Sequence, residues 1–156
     1  DEAQWLGNDP FGHWCSFEGQ RGRFAELGIN VTVVEPGQAA CLYHRETCQE
    51  GYFVLEGECT LLIEDEERAL RKWDYVHLPP GAAHVLVGGG QGTAAVLMLG
   101  ARPPAQGIQY PLSEIARRHG AGGEGDFDSP EAAYGSIPGL VRPNPRPFKW
   151  PLAPSE

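Results

Sequence analysis

From residue 23 onward, apolar positions fall in short runs divided by glycine, proline and acidic residues. Phe24–Leu27 and Ile29–Val34 open the series. Ala40–His44, Tyr52–Leu55, Thr60–Ile63, Arg68–Leu70, Tyr75–Leu78, His84–Val87 and Thr93–Leu99 follow. Short runs rich in β-branched residues predict strands. The separators read as turns: Glu35-Pro36-Gly37-Gln38, Glu56-Gly57-Glu58, Glu64–Glu67, Pro79-Pro80-Gly81 and Gly88–Gly92. Nothing before residue 111 is long enough for the crossover helix a parallel pair requires. About nine strands with such connections predict a closed or doubly layered antiparallel structure.

The flanks differ. Residues 1–20 scatter Trp5, Phe11, Trp14 and Phe17 among glycine and aspartate with no period, which reads as an irregular arm packing its aromatics on the main body. Leu112–His119 predicts one helix, with Ser113 as cap and Gly120 as stop. Gly120–Asp128 is glycine-rich and acidic, hence expected to be flexible, and Pro130–Tyr134 reads as a helical turn. Pro143, Pro145, Pro147, Pro151 and Pro154 deny the end of the chain a regular ladder of N–H groups, so an extended strap is expected there. The division is an arm (1–22), a barrel (23–102) and an extension (103–156) packing on the barrel or on a partner chain.

Composition narrows the function classes. A chain of 156 residues fits one domain. A net charge of −9 argues against binding a nucleic-acid backbone, which needs a basic patch. No run approaches the roughly 18 apolar residues of a membrane span. No leader pattern opens the chain, so the cytoplasm is the expected location. In that reducing compartment Cys15, Cys41, Cys48 and Cys59 are expected as free thiols.

The chemistry gathers between Gly37 and His84. On a strand, His44 and Glu46 point the same way, with Leu42 beside them and Cys41, Tyr43 and Arg45 opposite. Thr47-Cys48-Gln49 carries the chain round to Glu50, and the rigid Pro79-Pro80-Gly81 bend delivers His84. Imidazole suits Zn, Cu, Fe and Ni, and two carboxylates would formally neutralise a divalent cation. A buried structural cluster is the alternative, though two buried glutamates without a cation are costly. His13, His77 and His119 read as surface or structural histidines, and Tyr43, Tyr52, Phe53 and Trp73 as packing or lining residues.

Gly37, six residues, His44-Arg45-Glu46, three residues, Glu50, six residues and Gly57 resemble the first motif of the cupin superfamily. Asp74, four residues, Pro79-Pro80-Gly81, two residues and His84 resemble the second. The short gap from Gly57 to Trp73 is similar to that of small single-domain bacterial cupins of the conserved-barrel type. The resemblance implies an all-β antiparallel jelly-roll barrel, assembled as a homodimer, with one divalent transition metal (Fe, Mn, Ni or Zn) inside. That centre would act on or bind a small oxygen-rich molecule, as an oxygenase, isomerase or lyase. His44, Glu50 and His84 map onto metal-ligand positions. Glu46 stands where the family usually has a second histidine and maps by position only, as a metal ligand or as a catalytic acid/base group. Trp73 and Gly88 replace a common glycine and asparagine. Two other functions are compatible with the motifs: a non-catalytic module sensing a small ligand, and a metal-free sugar isomerase-like barrel using His84 with Glu46 or Glu50.

Overall fold

The computed structural model describes residues 3–7, 9–18, 22–137, 140 and 144–145. Twelve strands and two short helices are found among them. In chain order the strands are β1 (Gln4–Gly7), β2 (His13–Ser16), β3 (Leu27–Val34), β4 (Arg45–Glu46), β5 (Glu50–Glu56) and β6 (Glu58–Ile63). Then come β7 (Glu66–Arg71), β8 (Tyr75–Leu78), β9 (His84–Gly88), β10 (Ala94–Ala101), β11 (Ile108–Gln109) and β12 (Asn144–Pro145). Helix α1 covers Glu114–Arg118 and α2 covers Pro130–Gly135.

All pairings are antiparallel. One sheet runs β12-β1-β2-β3-β10-β5-β8, a second β7-β6-β9, and β11 pairs with β4. The expected antiparallel jelly roll is thus the architecture. Its core lies between the two larger sheets, where Val34, Val54, Leu78 and Val96 meet Leu61, Leu70 and Leu86, all buried. Strand alternation sends neighbouring side chains to the other faces. Val31, Val33 and Ala95 pack outside the large sheet with Cys15 and Trp5. Leu62, Val85 and Val87 pack outside the small one beneath Tyr110, Ile115, Ala116 and Ala133. Covered on both faces, β9 is buried at every position, which explains its unbroken apolar run after His84.

Helix α1 has the expected ends, and α2 adds a serine cap of its own. The hydroxyls of Ser113 and Ser129 accept from the N–H groups of Ala116 and Ala132, and Gly120 takes φ +68° after α1. At Gly57, the single residue between β5 and β6, φ is +75° and a Cβ would sit 2.5 Å from the Thr93 carbonyl oxygen. No other residue fits there. Trp73 takes the left-handed backbone that glycine favours, with φ +76°. Its ring, 68% exposed, rests near Phe53 at 5.7 Å between centroids and under the Lys72 ammonium.

Four expectations change. The N-terminal arm is not irregular: β1 and β2 form a hairpin docked on β3 through Cys15↔Val31 and its neighbours. Pairing to a waiting edge supplied the order that the weak period of residues 1–20 lacked. Phe24–Glu26 precede β3 rather than joining it, and the Phe24 N–H donates to Glu18 at 2.8 Å. Ala40–His44 is no strand; within it only His44 makes a β-bridge, to His84. Instead the N–H groups of Leu42 and Tyr43 donate to the Tyr134 hydroxyl and the Ala121 carbonyl. The stretch 120–128, expected to be flexible, is tied down at both ends by the fully buried Ala121 and by a bridge between Tyr110 and Phe127. Of the proline-rich segment, Asn144 and Pro145 pair with β1, and the remainder lies outside the described residues.

Candidate metal centre

His44 and His84 are direct partners across an isolated antiparallel bridge. The His84 N–H donates to the His44 carbonyl at 2.7 Å and the His44 N–H to the His84 carbonyl at 3.1 Å. This reciprocal pair sets the imidazole centroids 4.9 Å apart. Glu50 opens β5 and lies opposite Gly100 of β10, where the absent side chain leaves room for its carboxylate. Ligand atoms of His44, Glu50 and His84 all lie within 4.8 Å of one another.

The orientation of each ring is fixed locally. His44 Nδ1 lies 2.8 Å from the Leu42 carbonyl oxygen, and His84 Nδ1 lies 2.9 Å from that of Ala82. Each carbonyl can only accept, so each Nδ1 carries the hydrogen and each Nε2 faces the cluster. Glu50 Oε2 is 3.2 Å from His84 Nε2. Two neutral-capable imidazoles and one carboxylate, presented this way, fit a divalent transition cation.

The two histidines differ electrostatically. Burial, reinforced by the nearby His84, holds the His44 pKa below the ordinary imidazole range. Burial also opposes charge on His84, but the hydrogen bond and charge of Glu50, with the Ala82 carbonyl, outweigh it and raise the pKa. Two thiols sit close by. Burial, then the charges of Glu50 and Glu46, push Cys41 up to about 12. Burial and the hydrogen bond to Glu46 do the same for Cys48, to about 12. Neither is a thiolate at neutral pH, which removes the usual basis for nucleophilic or redox reactivity. All four cysteines are free.

Glu46 is placed differently from the other three candidates. It lines the same cavity but lies outside the cluster, and its Oε2 accepts from the Cys48 thiol at 3.0 Å and from Gln106 Nε2 at 2.7 Å. His77 is exposed on β8, 3.3 Å from Gln49 Oε1, and His119 caps α1 facing Glu67 at 3.1 Å.

Two residues around the cluster, Cys41 and Gln106, escaped the sequence reading, and a third, Tyr52, was read there only as a packing or lining residue. Cys41 faces the cavity, its sulfur 3.6 Å from His44 Nδ1, because the chain there bends rather than alternates. Gln106 arrives from a loop with no periodicity to announce it. Tyr52 was legible: two positions after Glu50 on one strand, it shares that residue's face. Its hydroxyl lies 2.9 Å from His84 Nε2, and burial, then Glu50, push the phenol well above its ordinary range, so it keeps its proton.

The cluster opens on a cavity of about 910 Å3. Asn30, Thr32, Met98 and Gly100 line its walls, together with Arg23 and Arg102. Arg102 is engaged by both carboxylate oxygens of Glu18.

Residues 30–100 match the family described as a cupin domain. No curated protein matches the sequence. Among solved structures, a candidate sugar phosphate isomerase from Acidithiobacillus ferrooxidans is 30% identical over 55% of this chain and 56% of that one, with a TM-score of 0.51. A cupin-superfamily sugar phosphate isomerase from Silicibacter pomeroyi is 25% identical over 66% of each chain, with a TM-score of 0.58. The chain spans less than two thirds of the length of either. A polyketide cyclase from Streptomyces resistomycificus, 17% identical over 62% of this chain and 70% of that one with a TM-score of 0.53, shares the fold.

Proposed function

Residues 30–100 of this chain are a cupin domain, and from that premise we propose that it holds one divalent transition metal and binds a small oxygen-rich molecule beside it. His44 and His84 would hold the cation through Nε2 and Glu50 through its carboxylate. The observation that carries this reading is the anchoring of both rings by carbonyls two residues upstream, which commits each Nδ1–H and turns both Nε2 atoms toward one point. A bound cation would supply Lewis acidity toward the ligand, and Fe, Mn, Ni and Zn all suit the donors. The chain's own groups do the rest. Asn30 and Thr32 line the approach, and Glu46, steadied by Cys48 and Gln106, is the acid/base group at the cavity wall. Elemental analysis of protein purified without a metal-affinity tag tests this. About one equivalent of metal is expected, lost in His44→Ala; no metal in either protein, even after reconstitution, rejects it.

A second reading rests on the contacts of His84 with Glu50 and Tyr52, a ready hydrogen-bonded acid/base set. The likeness to two sugar phosphate isomerases suggests a sugar phosphate as substrate, on which this set could transfer a proton without a metal. Turnover of a sugar phosphate that survives EDTA would support it, and turnover abolished by EDTA would reject it. Retention of a small ligand with no turnover would mark a binding module instead.

A further inference from the structure

His84 has one nitrogen to offer a cation, and that nitrogen is already taken. Its Nδ1 is committed to the Ala82 carbonyl, while its Nε2 meets the Tyr52 hydroxyl at 2.9 Å and Glu50 at 3.2 Å. A cation at Nε2 therefore competes with the phenol. The Tyr52 ring is itself buried between cross-strand neighbours Val76 and Met98, so the hydroxyl can turn but the side chain has little room to leave. A buried hydroxyl stripped of its acceptor is costly unless it finds another, and Glu50, which also accepts from the phenol, would be drawn to the same cation.

The cavity points to what that acceptor is. The Thr32 hydroxyl donates to Asn30 Oδ1 at 2.8 Å, which occupies the amide oxygen and leaves the Asn30 N–H groups to serve the cavity. Arg23 adds a cationic donor to the same lining; Arg102 is there too but is engaged by Glu18, and Glu46, Glu50 and Glu131 line the cavity as well. With a cation offsetting the carboxylates, these donors suit an oxyanion, a carboxylate or a phosphate ester.

We propose that Tyr52 gates the centre: its hydroxyl holds His84 Nε2 in the cation-free protein and, once a cation takes that nitrogen, donates to an anionic oxygen of the ligand. The proposal rests on the metal-binding reading above and assigns Tyr52 two successive partners.

The test compares the full chain with Tyr52→Phe, which keeps the ring and removes only the hydroxyl. Thermal unfolding verifies that the variant is folded. In the cation-free protein, the 15N shift of His84 Nε2 should move toward that of an unbonded ring nitrogen. Affinity for Zn(II), measured by chelator competition, should tighten about fivefold, the value of one ordinary hydrogen bond. In the Zn-loaded protein, binding of inorganic phosphate or acetate should weaken by about the same factor. Weaker Zn(II) binding in the variant would make Tyr52 a ligand and overturn the gate, as would unchanged affinity. Unchanged anion binding would overturn the second partner and leave Glu50 as the acceptor. A wild-type chain that takes no Zn(II) would reject the metal reading itself, whereas Zn(II) uptake indifferent to Tyr52 rejects only the gate.

Discussion

The two ends of the barrel are built from the same strands and could hardly be less alike. Along β5 the inward positions run Glu50, Tyr52, Val54; along β9 they run His84, Leu86; along β3 they run Asn30, Thr32, Val34. On β3 and β5 one end lines the cavity, on β9 His84 joins the His44–Glu50 cluster, and the other end of each is packed shut against Leu61 and Leu70. The period of two that makes a strand amphipathic across its faces is here combined with a gradient along its length. A dry end anchors the strands so that the polar end can carry buried imidazoles and a carboxylate whose desolvation opposes folding.

Paired substitutions on one strand would break this comparison most directly. Leu86→Ala at the dry end should cost about 2–5 kcal/mol in urea unfolding, the range for emptying a packed core position. The folded fraction should still take up metal. His84→Ala, two residues earlier, should do the reverse, removing metal uptake with a smaller change in stability. Equal loss of both properties in both variants would refute the division.

Within the polar end, Glu50→Gln should lower metal affinity by at least about tenfold through loss of the anionic donor. Glu46→Gln should leave close to one equivalent bound, because Glu46 is held by Cys48 and Gln106 outside the cluster. Metal analysis of the two variants side by side decides whether Glu46 is a ligand. At the strained entry to the second motif, Trp73→Gly relieves a left-handed backbone at an exposed residue, so stability should hold or rise by up to about 1 kcal/mol. A clear loss would mean that the ring contact with Phe53 matters more than backbone strain.

The smallest effect concerns the fastening of the N-terminal segment beside the cavity. The hydrogen bond from Arg102 lowers the Glu18 pKa, more than burial raises it. A carboxylate with a depressed folded pKa adds stability above its unfolded pKa, and that stability fades as pH falls through the folded value. Glu18→Gln should therefore be less stable than the parent at neutral pH, with the gap closing in acid. A gap that persists below the ordinary carboxylate range would point to packing rather than charge.

Much of this was legible in the sequence because local chemistry and global fold agreed. Ser113 and Gly120 bracket a real helix, Pro79-Pro80-Gly81 delivers His84 to the cluster, and Glu50 lies where its spacing placed it. The failures share a cause. Ala40–His44 has strand-like composition, yet tertiary packing draws both Leu42 and Tyr43 inward and turns Cys41 toward the cavity. The β1–β2 hairpin owes its order to the edge of β3, a partner no local window contains. Tyr52 differs, since its position followed from Glu50 by strand alternation; only its contact with His84 depended on the fold.

The reciprocal backbone pair between His44 and His84 also has a kinetic meaning. The two residues stand roughly forty positions apart, so forming their bridge closes a long loop, an entropic demand met only as β9 settles against β6. The imidazoles therefore converge only once that long-range pairing is made. A cation that recognises the assembled pair and not the unfolded chain would lengthen the lifetime of the whole barrel, coupling occupancy of one small site to resistance against unfolding throughout the domain.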